Sequence, residues 1–163
     1  MSGDDAARGP IFTAAAQVYA EGGWPVTEMA DGSGFTVDVE GSDGDWSALV
    51  ITDDENQRFV FYSLSPVDAS PDRLAAMAEL LHRVNHGLVE ATFELDHDSG
   101  EVRLRTGIDV ATLPAGILEP SLLRGLVLDL STANIGIFDH YLSGLVAVSL
   151  GADPAEVVAD LES

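Results

Sequence analysis

Residues 80–105 read LLHRVNHGLVEATFELDHDSGEVRLR. Three of the chain's four histidines lie here, His82 and His86 four residues apart. Either this is a metal or catalytic site, or it is an amphipathic helix running into a β-hairpin. Periodicity favours the second. Upstream, Ser70-Pro71-Asp72 has the composition of a helix start, with Ser70 as N-cap, Pro71 in the first turn and Asp72 at the positive end of the dipole. Leu74, Met77, Ala78, Leu81, Val84 and Leu88 then fall on one stripe at about 100° per residue. Gly87 suits the left-handed residue that closes a helix. Beyond it the period becomes two. Val89, Ala91, Phe93 and Leu95 alternate with polar residues, as do Val102 and Leu104 after the turn HDSG. Pairing Asp96 with Glu101 sets Leu95 opposite Val102, Phe93 opposite Leu104, Glu94 opposite Arg103 and Thr92 opposite Arg105. Apolar and opposite-charge pairs thus agree on one register.

The same reading extends outward in both directions. A helix is expected over residues 10–21, with Pro10 at its first position, Phe12, Ala15, Ala16 and Tyr19 on one face and Gly22-Gly23 ending it. Residues 24–30, 35–40, 46–52 and 58–64 alternate with period two and are separated by DGSG, GSDGD and DDENQ, all turn compositions. Phe35, Val37 and Val39 share a face, with Thr36, Asp38 and Glu40 on the other, which indicates an antiparallel sheet with one face wet. After Pro114 and Pro120, a strongly apolar helix is expected over residues 121–150, with a break near residues 131–134. Asp153, Pro154 and Glu156 resemble a capping-box start for a short last helix. Runs of strands and runs of helices define an α+β protein. The expected order is α-β-β-β-α-β-β-α, an antiparallel sheet of about five strands with helices packed on it. Residues 1–9 are expected to be a flexible tail and residues 10–163 a single domain.

Charge is the unusual feature. The chain carries 28 acidic and 7 basic residues, a formal net charge of −21, with no lysine and no cysteine. Such a surface repels phosphate backbones and anionic bilayers, so nucleic-acid and membrane partners are disfavoured. The acids are spread along the chain. This distribution favours adaptation to a salt-rich cytoplasm over an acidic platform for one basic partner. The polar, acidic start has no signal-peptide pattern. The apolar stretch 122–150 is interrupted by Arg124, Asp129, Asp139 and His140, and reads as a core helix.

Each chemical motif has a plainer explanation. His82 and His86 could chelate zinc with Glu79 or Asp96, but HRVNH lacks the glutamate of a zinc-protease helix, and His97 sits in a hairpin tip. Asp96, Asp98 and Gly100 look like half of a calcium loop, yet the twelfth position is Gly107 where a glutamate is needed. Asp43-Gly44-Asp45 is likewise a turn. Asn85 is expected to satisfy the helix end or the start of the next strand. Asp139, His140, Tyr141 and Ser143 offer acid-base groups, but adjacent helical residues do not face each other and no GxSxG elbow exists. No glycine-rich phosphate cradle is present. Trp24 and Trp46 read as core or half-buried sheet residues. The long helix carries Leu122, Leu126, Leu130, Ile137, Phe138, Tyr141, Leu145 and Val148, more than one face of a small domain covers. That surplus points to a partner or a homodimer.

Residues 80–108 also resemble the YbjN family of bacterial sensory transduction regulators. The resemblance rests on a helix ending in an asparagine-containing motif, here Val84-Asn85, followed by a hairpin, here Phe93-Glu94-Leu95 through Gly100-Glu101-Val102-Arg103. Residues 138–162, FDHYLSGLVAVSLGADPAEVVADLE, resemble its closing helices, and residues 23–41 match in pattern. The resemblance implies a type III secretion chaperone-like fold and a non-enzymatic, cytoplasmic module of chaperone-like or regulatory type, often dimeric. It supplies no catalytic, cofactor or metal residues. A protein partner would be received on the exposed sheet face or in the groove beside the first helix. The alternative is a metal or small-ligand sensor using His82, His86 and nearby carboxylates.

Overall fold

Helix α1 spans Pro10–Glu21, as its apolar spacing predicts, and buries Ile11, Phe12, Ala14, Ala15, Val18 and Tyr19. Gly9 is its N-cap, with no side chain to satisfy the first N–H groups. Asp54 does so instead, accepting from Ile11 N–H at 2.7 Å and Phe12 N–H at 3.0 Å. A Cβ on Gly9 would overlap that carboxylate, so only glycine fits. The computed structural model describes residues 8–114 and 116–163. Most of the expected tail, residues 1–7, lies outside them.

Six strands follow in an all-antiparallel sheet of order β1-β2-β3-β4-β6-β5. They are β1 (Val26–Glu28), β2 (Gly34–Glu40), β3 (Asp45–Asp53), β4 (Arg58–Leu64), β5 (Thr92–Leu95) and β6 (Val102–Asp109). Helix α2 (Leu74–Gly87) sits between β4 and β5; α3 (Pro120–Ser149) and α4 (Pro154–Leu161) close the described chain. The expected five strands are therefore six, because all four candidates before α2 are strands. The first is shorter than predicted. Trp24 N–H is held by Tyr19 C=O at the end of α1, Pro25 has no N–H, and the Asp31 carboxylate turns the chain by accepting from Ser33 N–H.

Three further expectations are corrected. Helix α2 begins at Leu74; the Ser70 hydroxyl donates to Asp72 instead of capping, and residues 71–73 form a turn. Gly87 is the last helical residue without a positive φ, and Leu88, in extended backbone, ends the helix. Val89 does not join the hairpin's inner face but is 95% exposed, since β5 starts only at Thr92. The predicted hairpin register holds at all four pairs. Its turn needs Gly100, whose φ is +80° and whose Cβ would strike Ala69 C=O.

Helix α3 runs unbroken for 30 residues through the expected break. The polar residues there are accommodated. Ser131 Oγ donates back to Val127 C=O at 2.7 Å and meets the Tyr19 hydroxyl at 2.9 Å. Asn134 Nδ2 reaches Phe61 C=O and Leu104 C=O on the sheet. Among the described residues α3 alone has the length and apolarity of a membrane span. It is a core helix here, laying Leu123, Val127, Phe138, Leu142, Leu145 and Val148 into the protein. Phe138 packs against Trp46 at 4.9 Å and Phe93 at 6.2 Å between ring centres. Phe61, Leu104, Leu142 and Leu145 are at most 1% exposed, and each such side chain stabilises the fold by about 1.5–3 kcal/mol. The sheet's inner face and the helices share this one buried cluster.

Candidate functional site

The residues singled out for chemistry do not converge. His82, His86 and His97 are exposed, and Glu79 is engaged with Arg83 at 2.8 Å. Among the described residues, no group of three or more His, Asp or Glu side chains is placed to hold a metal. Asp96 shapes the hairpin tip: its carboxylate accepts from Asp98 N–H at 2.9 Å, and that bond holds its pKa below the usual value. Asn85 does what its position predicts, donating to Phe93 C=O and accepting from Phe93 N–H. Asp139 serves the β2–β3 turn, accepting from Ser42 N–H and Ser42 Oγ, both at 2.7 Å. The Tyr141 hydroxyl points to Glu162, and Ser143 is exposed.

Two surfaces remain, both set by the sheet. The first is an open edge. Backbone groups of β2 point alternately to β3 and to β1. Residues 36, 38 and 40 face β1, since Gly41 N–H bonds Gly44 C=O across the β2–β3 turn and Asp38 N–H donates to Pro25 C=O at 3.2 Å. Pro25 has no N–H to return to Asp38 C=O. Glu40, beyond the end of β1, therefore offers its N–H and C=O to the space outside. That space is a groove of about 680 Å³ lined by Gly22, Gly23, Trp24, Pro25, Val39 and Ile135, with Asp38 and Glu40 along its rim. Its floor is apolar and its rim anionic. The signal was legible in Trp24-Pro25: a proline inside an apparent strand confines that strand to an edge.

The second surface is the face of the sheet opposite the helices. Leu49, Ile51, Val60, Tyr62 and Leu64 are half-buried there, and Leu49, Ile51, Val60 and Leu64 stand apart from the core cluster. Three of the seven arginines, Arg58, Arg103 and Arg105, border them. Arg103 lies over the Tyr62 ring at 4.4 Å. Glu94 bridges two of them, accepting from Arg103 Nε and Arg105 Nε at 2.7 Å each. Burial alone would raise the Glu94 carboxyl, but the bonds from Arg105 and Arg103 outweigh it and hold it below the ordinary glutamate value. The Glu94–Arg103 pair is legible in the hairpin register; the role of Arg105 is not, because it depends on the diagonal reach of a long side chain.

The apolar helix surplus is smaller than expected. Along α3 the exposed residues are mostly glycine, polar or charged, with Leu122 and Leu128 the large apolar exceptions.

An antiparallel sheet layered on one side by helices, with an open edge and a bare face, is a scaffold of α+β class. The sequence model described as "Putative bacterial sensory transduction regulator", YbjN, matches residues 16–122, and the chain belongs to that family. No curated protein sequence matches the chain. Among solved structures it is similar to that of YbjN, "a putative transcription regulator from E. coli", with a TM-score of 0.52 and 12% identity, covering 77% of this chain and 86% of the other. Weaker likenesses join it to the ExsC–ExsE complex (TM-score 0.45, 15% identity, 83% and 92% covered) and the HopA1–SchA chaperone–effector complex (0.42, 17%, 80% and 91%).

Proposed function

We propose that the chain is a non-enzymatic, cytoplasmic protein-binding module, acting as a chaperone-like protein or signalling regulator and working as a homodimer. The observation that carries this reading is the groove at the open edge of β2. An extended segment laid along it would find unpaired main-chain groups at Asp38 C=O and at Glu40, with an apolar floor of Trp24, Val39 and Ile135 for alternate side chains. Asp38 and Glu40 on the rim favour a segment with basic residues beside its apolar ones. The family description as a regulator accords with a partner-binding role.

The test is affinity capture from the native lysate at molar KCl, with the wild type and Ile135→Glu run side by side. Ile135 is half-buried in the groove wall, so a charge there spoils the floor. A partner held by the wild type should bind the variant at least tenfold more weakly. Amide exchange at residues 38–40 should slow when the partner is added. A partner held equally by both proteins, with no slowing at the edge, rejects the groove as its site.

A further inference from the structure

We propose that Asn85 guards the far edge of the sheet: its side-chain amide occupies the outward pairing groups of β5 and keeps that strand closed to strands of other chains. The inference goes beyond the groove reading above and stands without it, since neither of its two bonds involves β2.

The direction of the backbone groups carries the argument. β5 ends the sheet on the side away from β1. Asp96 N–H donates to Glu101 C=O across the hairpin. With Glu94 paired to Arg103 and Thr92 to Arg105, the even residues of β5 therefore face β6. Phe93 and Leu95 turn their N–H and C=O groups outward. Those of Leu95 meet no partner among the described residues. Those of Phe93 are both taken by one side chain. Asn85 Nδ2 donates to Phe93 C=O at 3.0 Å, and Phe93 N–H donates to Asn85 Oδ1 at 2.8 Å. A side-chain amide carries a peptide's own donor and acceptor. These are the two bonds that a neighbouring strand would make to Phe93, so Asn85 stands in for one residue of that strand.

Satisfying the backbone does not by itself call for this arrangement. Solvent can serve edge groups, and Glu40 leaves its own to the space outside. What β5 lacks is protection of another kind. Native edge strands are blunted by proline, lysine or bulges. β1 directly follows Pro25. β5, Thr92–Leu95, has neither proline nor lysine. Its one charge, on Glu94, is neutralised by Arg103 and Arg105. Half-buried Leu88 and exposed Val89 lie just before it, an apolar approach that does not repel another chain.

One residue suffices to close the strand. Consider β5 paired antiparallel with β5 of a second copy, about a two-fold axis at Glu94. Phe93 of each copy then faces Leu95 of the other, and each such pair exchanges two bonds. All four bonds involve a Phe93 group, so Asn85 pre-empts every one. Net charge is a poorer guard. The repulsion between copies of charge −21 is screened beyond about 3 Å in molar salt, whereas a hydrogen-bonded amide stays in place. Where β2 receives an extended segment, the guard denies that segment β5.

The experiment compares the full-length wild type with Asn85→Ala by sedimentation velocity at molar KCl, over a wide range of protein concentration. Asn85→Ala should add a concentration-dependent association step that the wild type lacks. In dilute solution its Phe93 amide should exchange roughly tenfold faster than in the wild type. The chain has no cysteine, so one introduced at residue 94 reports the contact. Across the axis the two copies of residue 94 form a non-hydrogen-bonded pair, with Cα atoms about 4.5 Å apart, within disulfide reach. Under mild oxidation Asn85→Ala/Glu94→Cys should cross-link to a dimer, and Glu94→Cys alone should not. Asn85→Asp keeps the size and accepts from Phe93 N–H but cannot donate to Phe93 C=O. It should associate more than the wild type and less than Asn85→Ala, and it carries the same test if circular dichroism shows the alanine protein unfolded. Variants that associate no more than the wild type, even if less stable to heat, overturn the guard. So does association without the cross-link at residue 94, which puts the contact elsewhere. Neither result touches the groove, which the Ile135→Glu comparison tests separately.

Discussion

Asp54 lies in the β3–β4 turn, 43 residues from Ile11, yet it caps α1. Residues of this kind tie separate elements together through a carboxylate that accepts two hydrogen bonds. Asp139 does the same for Ser42 over 97 residues. Replacing Asp54 by alanine leaves two N–H groups at the start of α1 without acceptors, and should destabilise the protein by about 1–2 kcal/mol, read as a lowered denaturant midpoint with an unchanged slope. Neither cap was legible in the sequence, where DDENQ reads only as a turn and Asp139 reads as a possible acid. Asn85 was legible because its partner, Phe93, is eight residues away, and a helix end beside a strand start has few other ways to satisfy its backbone. Legibility at this scale follows sequence separation: a local pattern exposes a local bond, and a cap borrowed from across the fold has no local pattern.

Elements follow the same logic with larger stakes. The β5–β6 hairpin could be read to the residue because two apolar pairs and an ion pair agree on its register. Helix α3 could not, since two of the polar residues that suggested a break reach other elements, although the buried Asn134 Oδ1 has no partner among the described residues. Asn134 bonds the sheet and Ser131 meets Tyr19. The far end of α3 depends on α2 in turn. Arg73, the residue before α2, donates from Nε to Val148 C=O at 2.8 Å and from Nη2 to Ala152 C=O at 2.7 Å. Those are carbonyls at and just beyond the helix end, where a cation also complements the dipole. Arg73→Ala should cost about 2 kcal/mol, a fall of roughly 5 °C in Tm. Arg73→Lys should recover only part of it, because an ammonium cannot span both carbonyls as the guanidinium does. Equal stability of the alanine and wild-type proteins in thermal melts would remove Arg73 from this role.

For the molecule as a whole, the balance of charge governs behaviour more than any single contact. With 28 acids and 7 arginines, most carboxylates have no cation to meet, and folding brings them closer together. Added KCl screens that repulsion over a Debye length that shrinks from about 30 Å at 0.01 M to 3 Å at 1 M. The Tm should therefore climb steadily between low and molar KCl, as followed by calorimetry; a flat response would remove adaptation to salt as the meaning of the composition. The fold also carries a consequence for its own making. The strands of the sheet are all in place by Asp109, but the helix that covers their inner face begins at Pro120 and ends at Ser149. A ribosome adding about 5–20 residues per second needs a few seconds more to deliver it. Through that interval Phe61, Phe93 and Leu104 lack the cover that α3 gives them. The nascent chain is most exposed to aggregation then, and a protein read here as a holder of other chains' extended segments begins its existence in need of a holder itself.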